Sequence, residues 1–204
     1  MQVFWRSFEL SMIFRKTKDL TGMFLKSFQF KDFGSLRIAY LKHNSPPQNQ
    51  FSTKDGLQIL LSDIIHDAFT VMVIFCREDY GKVTKGSTVL GVGANIGVFS
   101  LYAARCGAKK IYVFEPNTES YNILLRNIEL NKLEDVITPF NLAAGPVNGA
   151  IVSIPKNSSP YNSTVNDKLE QLLYDEVETI SLPSFITQQK ITKIDLLKMD
   201  CEVA

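Results

Sequence analysis

Residues Gly91-Val92-Gly93-Ala94-Asn95-Ile96-Gly97 form a stretch in which small side chains let the backbone approach a ligand. The apolar run Thr88-Val89-Leu90 precedes it and a helical pattern follows at once. That order places the free N–H groups of a helix N-terminus beside the turn, the arrangement that nucleotide sites exploit. Gly91 and Gly93 read as turn glycines, and Gly97 as the residue that lets the helix pack close to the strand. Glu115 closes the next apolar run, Ile111-Tyr112-Val113-Phe114. A carboxylate there can accept hydrogen bonds from both hydroxyls of a ribose. The glycine spacing is Gly-x-Gly-x-x-x-Gly, and no basic residue lies in the loop. A dinucleotide fingerprint has two residues before its third glycine. An adenosine cofactor without phosphates is therefore expected.

A second pair of candidates lies near the end of the chain. Asp200 and Glu202 follow the apolar run Ile194 to Met199. Strand alternation points both to one side. The C-terminal ends of parallel strands are where such sheets bind ligands. The two acids could bind an acceptor hydroxyl, take its proton, or hold a divalent ion. They could equally cap a helix or pair with a buried base. His66 and Asp67 form a further acid–base pair, for which a structural role is the simpler reading.

The elements that must position these groups follow from periodicity. Strands are expected at 88–90, 111–114 and 136–142. An all-round apolar helix is expected at 96–105, and an amphipathic one at 117–131 with Tyr121, Leu124, Leu125 and Ile128 as its inner face. This alternation predicts an α/β fold with a parallel sheet. Further strands are expected at 150–154, 177–182 and 194–199, with a polar loop from Pro155 to Lys168. Upstream, 35–41 and 57–61 read as strands, and 67–76 as a helix with Asp67 as N-cap. Phe4, Phe8, Met12 and Phe14 fall roughly on one helical face, a pattern that suits packing on the domain or contact with a membrane surface.

The segment VLGVGANIGVFSLYAARCGAKKIYVFEPNTESYNILLRNIELN resembles the signature of FkbM-type methyltransferases. Gly93-Ala94-Asn95, Gly97, Phe114-Glu115-Pro116, and Asn127 with Asn131 match it. Thr179-Ile180-Ser181-Leu182 and Lys193 through Glu202 are similar to its second block. The resemblance implies a Rossmann-like class I methyltransferase sheet that uses S-adenosylmethionine. It implies cofactor contacts at Gly91, Gly93, Ala94, Asn95, Gly97 and Glu115, with Asn141 near the adenine. It implies a small-molecule or glycan hydroxyl as acceptor, a sugar or a metabolite; Asp200 and Glu202 are the catalytic candidates, and no residue is assigned to a metal. Gly91 stands where the family has Asp, and the family's second block runs on beyond this chain's last residues. The expectation is an extension at 1–54 and a methyltransferase domain at 55–204 that lacks its C-terminal strands. The strand at 194–199 is then expected to have a free edge. A non-catalytic fragment and a nicotinamide oxidoreductase are the alternatives.

Composition excludes little else. The chain has 204 residues, 22 basic and 21 acidic, with a formal net charge of +1. No whole-molecule field for gripping nucleic acid follows from that balance. Cys76, Cys106 and Cys201 are widely spaced and odd in number, so neither a disulfide framework nor a zinc site is suggested. The most apolar long stretch, 57–75, carries Asp63, His66 and Asp67, which argues against a bilayer span and makes the cytoplasm the expected location.

Overall fold

Alternating strands and helices from residue 88 onward build a parallel sheet, as the periodicity requires. The computed structural model describes residues 2–4, 20–62, 64–155 and 174–200. The central sheet contains β1 (Gln2–Phe4), β4 (Thr88–Val92), β5 (Lys110–Phe114), β6 (Ile137–Phe140) and β10 (Leu196–Met199). Its order is β1-β10-β4-β5-β6, and every neighbouring pair is parallel. Helices α4 (Val98–Arg105) and α5 (Thr118–Leu130) form the crossovers between β4, β5 and β6. A parallel sheet of this kind is covered on both faces, so its strands are apolar on both. Val89, Ile111, Val113, Ile137 and Leu196 join the larger core cluster. Leu90, Val92 and Phe114 pack on the other face against Phe185 of α6 (Leu182–Gln188). There the Phe185 ring lies 4.7 Å from Phe114 and 4.9 Å from Phe140, edge-on to both.

Upstream of the sheet lie α1 (Leu20–Ser27), α2 (Phe33–Lys42) and the antiparallel hairpin β2 (Gln50–Ser52) and β3 (Gln58–Leu60). Helix α3 (Ile64–Val71) runs directly into a π-helical turn, Met72–Arg77. Met72 through Cys76 are all buried, and the turn ends at Glu78 with φ +56°. A smaller sheet, β7 (Ala143–Ala144), β9 (Tyr174–Ile180) and β8 (Ile151–Pro155), lies downstream in that order.

Several expectations need correction. Residues 35–41 are helical, not extended. Leu36 and Ala39, three apart, are the buried residues of α2, and Arg37 stacks 4.3 Å from the Phe28 ring. Asp67 lies inside α3 rather than at its N-cap, and its carboxylate accepts from the N–H of Ser62 at 2.7 Å and from the Ser62 hydroxyl. It is thereby committed to structure rather than to acid–base chemistry with His66. Leu182 begins a helix instead of ending a strand, because Ser181 caps it and Pro183 sits in its first turn. Leu125, expected on the inner face of α5, is exposed, while Leu124 and Ile128 are buried. Strand β10 does not have a free edge, because Gln2, Val3 and Phe4 pair with Leu196, Leu197 and Lys198. Phe4 therefore belongs to a strand, and Phe8, Met12 and Phe14 lie outside the described residues.

Candidate functional site

The glycine loop leaves β4 at its C-terminal end. Gly91 is still inside that strand and makes no turn. A Cβ there would stand 3.1 Å from Val113 Cγ1, so close packing on β5 is what glycine permits. The turn proper uses Gly93 at φ +73°, Asn95 at +50° and Gly97 at +89°, the left-handed region that glycine and asparagine tolerate best. Gly97 has a second constraint. A Cβ on it would lie 2.5 Å from Leu124 Cδ1, so its closeness is to α5 rather than to the strand.

The loop's donors are largely spent on the protein itself. The N–H groups of Gly93 and Ala94 both donate to Phe114 O at 3.0 Å, and that of Gly97 to Ala94 O at 2.9 Å. The Asn95 N–H donates to Glu115 Oε2 at 2.6 Å. A loop wired in this way does not turn these amides outward as a phosphate cradle, and a carboxylate sits at its centre. That fits a cofactor without phosphates and disfavours a dinucleotide.

Glu115 is 6% exposed. Its Oε1 accepts from the Asn117 N–H at 2.9 Å, so the acid holds the loop and the start of α5 together. Burial pushes its carboxyl above the usual range, while the N–H groups of Asn117 and Asn95 and the charge of Lys198 oppose that shift. An ionised carboxylate offers about four acceptor positions. Two are taken, which leaves capacity for ribose hydroxyls. Asn141 donates through Nδ2 to the carbonyls of Glu115 and Pro116 at 2.9 and 3.1 Å. It fixes the backbone from which Glu115 projects.

Asn127 and Asn131, four apart on α5, act as a surrogate strand for β3. Asn127 Oδ1 accepts from the Leu60 N–H at 2.7 Å, and its Nδ2 donates to Leu60 O and to Ile96 O in the glycine loop. Asn131 repeats the pattern one turn on, accepting from Gln58 N–H and donating to Gln58 O. The motif therefore ties helix, hairpin and loop into one unit. Both were part of the matching signature, but residue type alone did not reveal the use.

Asp200 stands at the far end of β10, and its N–H continues the ladder to Val92 O at 3.1 Å. Its Oδ2 accepts a short hydrogen bond from the Tyr80 hydroxyl and lies 3.3 Å from Lys198 Nζ. Lys198 is buried, 5% exposed, and donates to Gly93 O at 2.7 Å. Its ammonium also lies 5.5 Å from the Tyr80 ring centre. Lys198 lay inside the second matching block but was not read as a site residue, and Tyr80 was not read at all. A lysine at an apolar strand position, alternating with Leu197 and Met199, was the available signal for the first. Nothing in the sequence marked Tyr80, which the π-helical turn delivers. Glu202 lies outside the described residues. Among the described residues, no cluster of three or more His, Cys, Asp or Glu side chains could hold a metal ion, and no helix is long and apolar enough to cross a membrane.

The chain is 38% identical over 69 residues to the ribosomal protein L11 methyltransferase of Anoxybacillus flavithermus, covering 34% of this chain and 22% of that protein. It is 32% identical over 126 residues to the tRNA (guanine(37)-N(1))-methyltransferase Trm5b of Methanocaldococcus jannaschii, covering 60% of this chain and 36% of that protein. Among solved structures, the PRMT1 enzyme–prozyme complex of Trypanosoma brucei with AdoHcy aligns with a TM-score of 0.27 at 33% identity. That alignment covers 28% of this chain and 18% of the other. The chain thus spans roughly a quarter to a third of the length of these curated relatives. Residues 91–203 match the methyltransferase FkbM domain, more than half of the sequence. The chain belongs to the FkbM methyltransferase family, whose cofactor is S-adenosylmethionine.

Proposed function

We propose that this chain is an S-adenosylmethionine-dependent methyltransferase that methylates a hydroxyl oxygen on a sugar, glycan or small metabolite. The carrying observation is the buried carboxylate of Glu115 at the centre of a glycine loop whose Gly93, Ala94, Asn95 and Gly97 amides are committed to the protein. In this reading Gly93, Ala94, Asn95 and Gly97 shape the cofactor's seat. Glu115 receives the ribose hydroxyls, Asn141 lies toward the adenine, and Gly91 supports the loop from within β4. The seat belongs to a methyltransferase domain spanning 55–204, to whose central sheet and core the extension at 1–54 contributes β1, Met23 and Leu36.

When bound, S-adenosylmethionine supplies a methyl group activated on a sulfonium. The chain's own residues then have two tasks. Asp200, whose side chain is 38% exposed, takes the proton of the acceptor hydroxyl as the oxygen gains its methyl group. Glu202 assists from two residues on. The C-terminal edge of the sheet holds acceptor and cofactor in line, which can contribute large factors in rate. The test is methyl transfer from labelled cofactor to a panel of sugars and small alcohols, with amines as the contrasting class. Label appearing on hydroxyls, and lost in Asp200→Asn, is expected. Label appearing on amines alone overturns the hydroxyl assignment.

A further inference from the structure

Lys198 is the buried charge that the methyl-transfer reading leaves without a task. It projects from β10, in register with Gly91 of β4, which in turn pairs with Val113 of β5. The three positions share one sheet face. Its ammonium reaches past the bare Gly91 position to the carbonyl of Gly93, inside the glycine loop. On its other side it meets Asp200, whose carboxylate also receives the Tyr80 hydroxyl. The positive charge is felt as far as Glu115. The cation therefore touches the loop directly, and the anion is held against the cation on its far side, beside the Tyr80 hydroxyl. The Tyr80 ring, three residues past the π-helical turn, packs against Phe99 with ring centres 5.5 Å apart.

We propose that Lys198 and Asp200 form a charge pair that discriminates between the cofactor and its demethylated product. This rests on the cofactor occupying the glycine loop, as proposed above. S-adenosylmethionine carries a positive sulfonium, and S-adenosylhomocysteine carries a neutral thioether at the same place. All other groups of the two molecules are the same. An ammonium bonded to the loop repels the sulfonium and leaves the thioether unaffected. The Asp200 carboxylate does the reverse. Lys198 is buried, where a charge interacts more strongly than in water, while the 38%-exposed Asp200 carboxylate is partly screened, so both shift the ratio of the two affinities and Lys198 shifts it more. The pair balances retention of the charged cofactor against retention of the product.

The experiment is calorimetric titration of S-adenosylmethionine and of S-adenosylhomocysteine into the wild-type chain, Lys198→Met and Asp200→Asn. Lys198→Met is expected to shift the affinity ratio toward S-adenosylmethionine by about tenfold. Asp200→Asn is expected to shift it the opposite way. A residue acting only through folding would weaken both ligands alike and leave the ratio unmoved. Should Lys198→Met fail to fold, judged by its thermal transition, Asp200→Asn carries the test alone through the sign of its shift. An unchanged ratio, or two shifts of the same sign, overturns the proposal. Absence of binding of either ligand to the wild-type chain overturns instead the cofactor reading on which it rests.

Discussion

Replacing Asn127 tests whether the glycine loop is held from α5. The side chain is fully buried and makes three hydrogen bonds, two to Leu60 of β3 and one to Ile96 O. Asn127→Ala orphans the Leu60 N–H, the Leu60 carbonyl and the Ile96 carbonyl together. A buried group left without a partner costs about 1–3 kcal/mol, and water can reach Leu60 more easily than Ile96. The sum is about 3 kcal/mol. Asn131→Ala removes a similar set at Gln58, but that site is half-exposed, so water replaces the lost bonds and about 1 kcal/mol is expected. Asn127→Asp keeps the size and shape but turns an oxygen toward two carbonyls, so it should be as damaging as alanine. Urea titration reads these costs as shifts in midpoint at constant slope. Equal costs at positions 127 and 131, or a harmless Asn127→Asp, would refute the surrogate-strand account.

Three further outcomes are expected. Gly97→Ala combines φ +89° with a Cβ 2.5 Å from Leu124 Cδ1, and should cost more than about 2 kcal/mol in urea titration. Gly91→Ala should cost about 1 kcal/mol through contact with Val113, and a Val113→Ala background should erase that penalty in a double-mutant cycle. Glu115 has its folded-state carboxyl raised above the unfolded value near 4.5, so its favourable contribution is complete below that pH. The contribution is lost as pH rises through the folded value. The stability of wild type relative to Glu115→Gln should therefore decline on going upward from pH 4.5, as read by thermal midpoints.

The strand–loop–helix core of the site was legible because local rules and tertiary demands coincide there. Val89, Ile111 and Ile137 sit in short apolar runs of a sheet covered on both faces, and Asn117 caps α5 with its own side chain. Gly93 carries the positive φ of a turn glycine, as its place in the sequence suggested, whereas Gly91, read the same way, stays inside β4. What failed was decided by partners distant in sequence. Residues 33–42 became a helix because Leu36 and Ala39 could bury against α1 and its neighbours. Gln2–Phe4 became an edge strand because β10 offered its open side. Lys198 and Tyr80 are 118 positions apart and meet only when the sheet is assembled, so no local pattern announced their contact.

The central claim, an S-adenosylmethionine site at the Gly91–Gly97 loop with Glu115 at its centre, is tested most directly by calorimetric titration of the 204-residue chain. S-adenosylmethionine and NAD are titrated separately into wild type and into Glu115→Ala. The account predicts saturable heat with S-adenosylmethionine and none with NAD. It also predicts at least about tenfold weaker cofactor binding in Glu115→Ala, since a hydrogen bond to a charged group contributes about 1.5–3 kcal/mol. Saturable binding of NAD, or an affinity for S-adenosylmethionine unchanged in a folded Glu115→Ala, would contradict it.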